Sequence, residues 1–171
     1  MSHRIPVFFL PIPTDEIDDD DLVGAKALIG EAYADAEASG LTESTSTNWW
    51  HQAVIAALCE QWSVSGLEFL EAEMCVLGRA QASRASKALT TVLERLEGGV
   101  PDLRAGLGPE AEDLLDAGPL APRIRSASPA SEIDDDDGVV QSFLQFVVSL
   151  RAAAAEAAAA GEALLWYRPQ P

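Results

Sequence analysis

The residues best suited to chemistry by type and spacing occur twice, as the six letters EIDDDD at positions 16–21 and again at 132–137. Consecutive carboxylates repel one another, so Asp18, Asp19, Asp20 and Asp21, like Asp134, Asp135, Asp136 and Asp137, need something to offset their charge. Both runs stand directly before an apolar helical stripe. The first turn of a helix has unpaired N–H groups and about half a unit of positive charge, so it tolerates aspartate. A calcium loop of the EF-hand type fails here. Gly138 as its sixth residue makes Ile133 the first and Leu144 the twelfth, and both are apolar where oxygen ligands are required. A looser cation site shared by the two runs stays open, as does a docking surface for a basic partner. The partner-binding reading is the one adopted, with no metal and no cofactor expected.

The second cluster is NWWHQ. His51 follows Trp49 and Trp50, and His3 is the other histidine in the chain. A general base needs a histidine oriented by a carboxylate beside a pocket. Spacing alone does not bring Glu60, Glu68 or Glu71 to it. The expectation is therefore that Trp50 anchors the core, Trp49 lies at the boundary and His51 sits on an exposed flank. A ligand pocket at Trp49, Trp50 and His51 is the alternative. WSVSG lacks the first glycine of a nucleophile elbow, so Ser65 is a turn residue. No phosphate-binding glycine loop and no HExxH pair occurs. Arg79, Arg84 and Lys87, and separately Arg123 and Arg125, are small basic groups expected to meet the protein's own acids.

These residues must be positioned by elements that the hydropathy pattern outlines. Residues 4–10, RIPVFFL, suit a short buried strand closed by Pro11 and Pro13. Leu22, Ala25, Ile29, Ala32, Tyr33 and Ala36 recur at helical spacing before Gly40. TESTSTN reads as a polar loop. A helix over NWWHQAVIAALCEQW carries a stripe of Trp50, Val54, Ala57, Leu58 and Trp62, and SVSG breaks it. Leu67, Leu70, Met74 and Leu77 suggest a further helix over LEFLEAEMCVLG. Ala85, Leu89, Val92, Leu93 and Leu96 define another, ended by Gly98 and Gly99.

Beyond residue 100 the periodicity weakens, with one short helix expected over GPEAEDLLDAG. Residues 118–131 read as a Pro-rich surface loop. The last helix is expected to start at the second acidic run, turn Val140, Phe143, Leu144, Val147 and Leu150 inward, and stop at Gly161. EALLWYRP then suits a strand. The fold class is α+β: a predominantly helical single domain over 1–171, with a small sheet formed by short N- and C-terminal strands.

Composition limits the partners. The 171 residues carry a formal charge of −17. Residues 1–73 hold 14 acidic and 2 basic side chains, and 105–137 hold 9 and 2. Residues 79–104 reverse the balance, with 5 basic and 3 acidic. Such a field disfavours nucleic acid and anionic membrane, and it favours basic proteins. Cys59 and Cys75 lie in apolar pattern without CxxC spacing, as reduced thiols do. No uncharged stretch reaches the roughly 18 to 20 residues that span a bilayer. A cytoplasmic location is expected.

Taken in order, these elements resemble the YfbM-like family of small bacterial proteins of unknown function. The likeness rests on the N-terminal strand before an acidic helix, on Trp50 and His51 opening an apolar helix, and on SKALTTVLERL. It closes with the last helix running into Gly161 and EALLWYR. It implies an α+β fold and no known activity, and it transfers no catalytic residue. The sequence thus points to a non-enzymatic acidic protein that binds a basic partner, with a toxin-neutralising or immunity-type role as one concrete form. An enzyme or small-ligand binder at Trp49, Trp50 and His51 is the rival.

Overall fold

The computed structural model describes residues 5–13, 45–47, 49–72, 74–99, 114, 120–127 and 138–167. In chain order these form β1 (Ile5–Pro13), β2 (Thr45–Thr47), α1 (Trp49–Trp62), a 3-10 turn (Glu68–Glu71) and β3 (Met74–Leu77). There follow α2 (Arg79–Glu97), α3 (Ala121–Ser126), α4 (Gly138–Ala160) and β4 (Glu162–Tyr167). The fold is α+β and mostly helical. The acidic runs at 18–21 and 134–137, and the helix expected after Leu22, lie outside the described residues. So does the short helix expected near 108–118, except for the buried Leu114.

The sheet is antiparallel, with strand order β2-β1-β4-β3. The N- and C-terminal strands pair as expected, from Phe8 opposite Tyr167 to Pro13 opposite Glu162. As an inner strand, β4 is covered on both faces: Ala163, Leu164, Leu165 and Trp166 are all buried. Its sequence is accordingly one apolar run without alternation. Strand β1 continues through Pro11 and Pro13 rather than ending at Leu10. Their spacing of two puts both missing N–H groups on the same side of the strand, so one edge accommodates both while the other side pairs with β4.

Two further strands depart from the expectation. Thr45–Thr47, read as loop, pairs with Ile5–Val7 of β1; threonine is β-branched and suits a short edge strand. The helix expected over residues 67–78 is absent. A single 3-10 turn buries Leu70 along with Phe69, Ala72 is extended, and Met74–Leu77 pairs with β4. Leu67, Leu70, Met74 and Leu77 do fall at helical spacing. The open edge of β4 offers a backbone ladder to this segment, and that tertiary pairing overrides the local pattern.

The core lies between α4, α2 and the sheet. In α2 the expected stripe is buried in full, joined by Ala82 and Ala88. The Gln81 side chain accepts a hydrogen bond from the Gly78 N–H at 3.2 Å, which closes the N-terminus of α2. In α4 every residue from Phe143 to Leu150 is buried, so the helix is enclosed on all sides over two turns. Val140–Ala160 is long and apolar enough to span a membrane, yet 56% of its most apolar stretch is buried inside the protein. Gly161, at φ +69°, ends the helix in the left-handed conformation and turns the chain into β4.

The segment expected to be a Pro-rich surface loop, 118–131, contains α3. Pro122 sits in the first helical turn, where its missing N–H costs nothing, and the fully buried Leu120 anchors the start.

Candidate functional site

The 14 residues of α1 present two adjoining faces. His51, Val54, Ile55 and Leu58 follow the i, i+3, i+4, i+7 pattern and are buried in the core. Gln52, Ile55, Ala56 and Cys59 follow the same pattern one residue on and line a pocket of about 150 Å³. Ser63 ends the helix at φ +54°. Val64 N–H donates to Cys59 O at 2.9 Å and Ser63 N–H to Glu60 O at 3.4 Å, a Schellman closure with serine in the position usually held by glycine. This closure folds Val64 and Leu67 back as a second wall. Glu68, Leu70 and Glu71 of the 3-10 turn complete the third.

The turn is held by its own acid. Glu68 accepts the Gly66 N–H with both carboxylate oxygens, at 3.2 and 3.0 Å. Hydrogen bonds from its own N–H and from Gly66 N–H hold Glu68 below the usual carboxylate range, with the Arg84 guanidinium assisting. Arg84, on α2, acts on Glu68 here only through its charge. Gly66 itself is at φ +112°, and a Cβ there would come within 2.9 Å of Arg84 Cγ. Gly66→Ala is therefore expected to cost about 1–3 kcal/mol, from backbone strain and displacement of Arg84. Thermal unfolding measures this, and an unchanged midpoint would show that the turn relaxes freely.

The electrostatics inside the pocket are negative. Burial pushes the Cys59 thiol up, and the nearby Glu68 carboxylate pushes it further. Both effects favour the protonated thiol, which slows Cys59 as a nucleophile without silencing it. Leu67 and Leu70 are buried, whereas Glu68 and Glu71 are exposed. The site is an apolar recess with two glutamates at its mouth.

Trp49, Trp50 and His51 open α1, next to the residues that line this recess. Trp49 is the first residue of α1, and Trp50 is half-buried with its ring stacked on Phe143 at 5.6 Å. His51 is fully buried, which corrects the exposed flank expected of it. The inward stripe of α1 runs one residue later than the pattern through Trp50 suggested, and Val54 and Leu58 belong to both. The imidazole packs edge-on to Trp50 at 4.3 Å and to Phe143 at 5.5 Å, and is stacked on Phe146 at 5.7 Å. Neither Trp50 nor His51 is among the residues that line this recess. Burial lowers the His51 pKa to about 3, so the ring is neutral at physiological pH and closed to solvent. That is a structural histidine.

Sequence reasoning missed the pocket because its walls come from residues assigned to two separate helices. The signal available was Gln52, Ile55, Ala56 and Cys59, an amphipathic face containing one amide and one thiol. Among the described residues, no group of three or more histidine, cysteine, aspartate or glutamate side chains is arranged to hold a metal ion. The chain matches no protein-family model, no curated protein and no solved structure.

Proposed function

We propose that this chain is a non-enzymatic acidic interaction protein that binds a basic protein partner. The observation that carries the reading is the charge of −17, concentrated in two stretches that each contain a tetra-aspartate run. Charge of one sign gathered in patches raises association rates with an oppositely charged partner and suppresses wrong ones. His51 is buried among aromatic rings, which fits a packing role for it within this reading. Neutralising a basic toxin, as an immunity-type protein does, is a concrete form of this function. The likeness to the YfbM-like family brings no activity that competes with it.

The test uses hexalysine as a model basic ligand, titrated calorimetrically at low and high salt. Binding is expected at low ionic strength and is expected to weaken about tenfold or more as the Debye length falls from roughly 30 to 8 Å. Replacing Asp18, Asp19, Asp20 and Asp21 by asparagine, or Asp134 to Asp137 likewise, is expected to weaken it more than neutralising four scattered acids. Those four are Glu37, Glu43, Glu110 and Glu112, each changed to glutamine. Equal losses from runs and scattered sites would remove the runs as the binding surface.

A further inference from the structure

The reading just given says that a basic partner binds, and the pocket on α1 indicates how one of its residues is received. Three properties of the recess act together. Its volume, about 150 Å³, is that of a cavity which takes a benzene-sized group, and it is well below the space a nucleotide or drug-sized ligand needs. Its inner wall is apolar, from Ile55, Val64, Leu67 and Leu70. Its mouth carries Glu68 and Glu71, and the Glu68 charge is felt at the Cys59 thiol within.

A lysine or arginine side chain has this combination: an alkyl stem that prefers apolar surroundings and a charged head that prefers water or a carboxylate. An anion would meet repulsion at the mouth. A purely apolar residue would bury well but would make no use of the charge on Glu71 or of what Glu68 retains beyond its bond to Gly66. Glu68 is fixed in place by the Gly66 N–H, so its carboxylate is oriented before anything binds.

Resting on the proposed function, we infer that this pocket is a specificity socket for one lysine or arginine side chain of the basic partner. The stem lies against Ile55, Leu67 and Leu70, and the cation is held at Glu68 and Glu71. The acidic runs supply long-range attraction, and the socket supplies registry.

The two half-buried cysteines provide the measurement. Cys59 lines the pocket, whereas Cys75 lies on β3 and does not, so it serves as an internal control. The full chain is alkylated with iodoacetamide, a neutral reagent, and labelling at each cysteine is followed by peptide mass spectrometry. Hexalysine at a concentration that fills about four-fifths of the sites is expected to slow labelling of Cys59 by about fivefold, and to leave Cys75 unchanged. A cation that stays outside the pocket would relieve the upward push on the thiol and speed its labelling, so slowing reports entry. n-Butylammonium, used at about 0.1 M because a five-atom group binds weakly, is expected to slow Cys59 as well. n-Butanol at the same concentration is expected to do far less.

Glu71→Gln is expected to reduce the difference between the amine and the alcohol by several-fold without disturbing the Glu68–Gly66 bond, and an unchanged difference would overturn the role of Glu71. Ala56→Phe, which fills the recess from the exposed side of α1, is expected to remove the protection by hexalysine. If hexalysine binds in calorimetry but Cys59 is labelled at the same rate, the socket is wrong and the acidic interaction surface survives. If hexalysine does not bind even at low salt, the broader reading fails. Protection by butylammonium alone, or equal protection by butanol, would overturn the socket by assigning the recess to free amines or to any small apolar molecule.

Discussion

Acidification from pH 7 to pH 4 is expected to cost the protein about 3 kcal/mol through His51 alone. The imidazole is enclosed by Trp50, Phe143 and Phe146, and its pKa falls to about 3 from an ordinary 6.5. Between these two values the unfolded chain binds a proton at His51 that the folded chain does not. Stability from this residue is therefore complete above about pH 6.5 and declines by ~1.4 kcal/mol per pH unit below it, until the folded ring itself titrates. The many carboxylates act in the opposite direction over part of the same range, because protonating them relieves the repulsion of a chain at −17. A comparison separates the two effects. Urea unfolding of the wild type and of His51→Leu is followed from pH 3.5 to 7.5. The carboxylates are common to both proteins, so the difference between their stabilities should slope at ~1.4 kcal/mol per pH unit below pH 6.5. A flat difference would mean that the folded protein accepts the proton at His51. The consequence reaches the pocket, because α1 carries His51 on one face and Gln52, Ala56 and Cys59 on the next. Acid that loosens the packing of α1 on α4 also loosens one wall of the recess.

How much of this was legible in the sequence differs from element to element. The buried stripe of α2 follows from residues such as Leu89 and Val92, because a helix packed on one side leaves its period in the letters, whereas Phe143 and Val147 of α4 are buried as expected within a stretch enclosed on all sides. The pairing of the terminal strands was legible too, from two apolar runs bounded by proline and glycine. Residues 67–78 were not. Leu67, Leu70, Met74 and Leu77 satisfy a helical period by coincidence, and only the exposed backbone edge of β4 distinguishes the outcomes. That edge is a tertiary fact, absent from any local window. His51 failed for a smaller reason. A rotation of one residue, about 100° on a helix, exchanges an exposed flank for the core, and the two alternative stripes of α1 share Val54 and Leu58. The pocket depended on both errors being resolved. Its walls meet only when 68–71 is a turn lying against α1, and a separate helix there would have pointed Glu68 and Glu71 elsewhere.

Trp166→Ala is expected to be the most damaging of the single substitutions considered, at about 3–5 kcal/mol, or a fall in midpoint of roughly 6–20 °C for a chain of this size. Trp166 is fully buried on β4, edge-on to Phe69 at 5.6 Å and tilted against Phe146 at 6.2 Å. Its indole Nε1–H donates to Ala72 O at 2.9 Å, across 94 positions of sequence. That bond fastens the segment between the 3-10 turn and β3 to the inner strand, so one side chain serves the core, the edge strand and a wall of the pocket. Trp166→Phe separates these roles. It keeps most of the ring contact and leaves the Ala72 carbonyl without the indole donor, at an expected cost of about 1–3 kcal/mol. The same variant should also loosen the turn, so that iodoacetamide labels Cys59 several-fold faster than in the wild type. Loss of stability in Trp166→Phe with Cys59 labelling unchanged would confine Trp166 to the core. Accelerated labelling would show that the indole bond holds the turn in place, and with it Glu68 and Glu71.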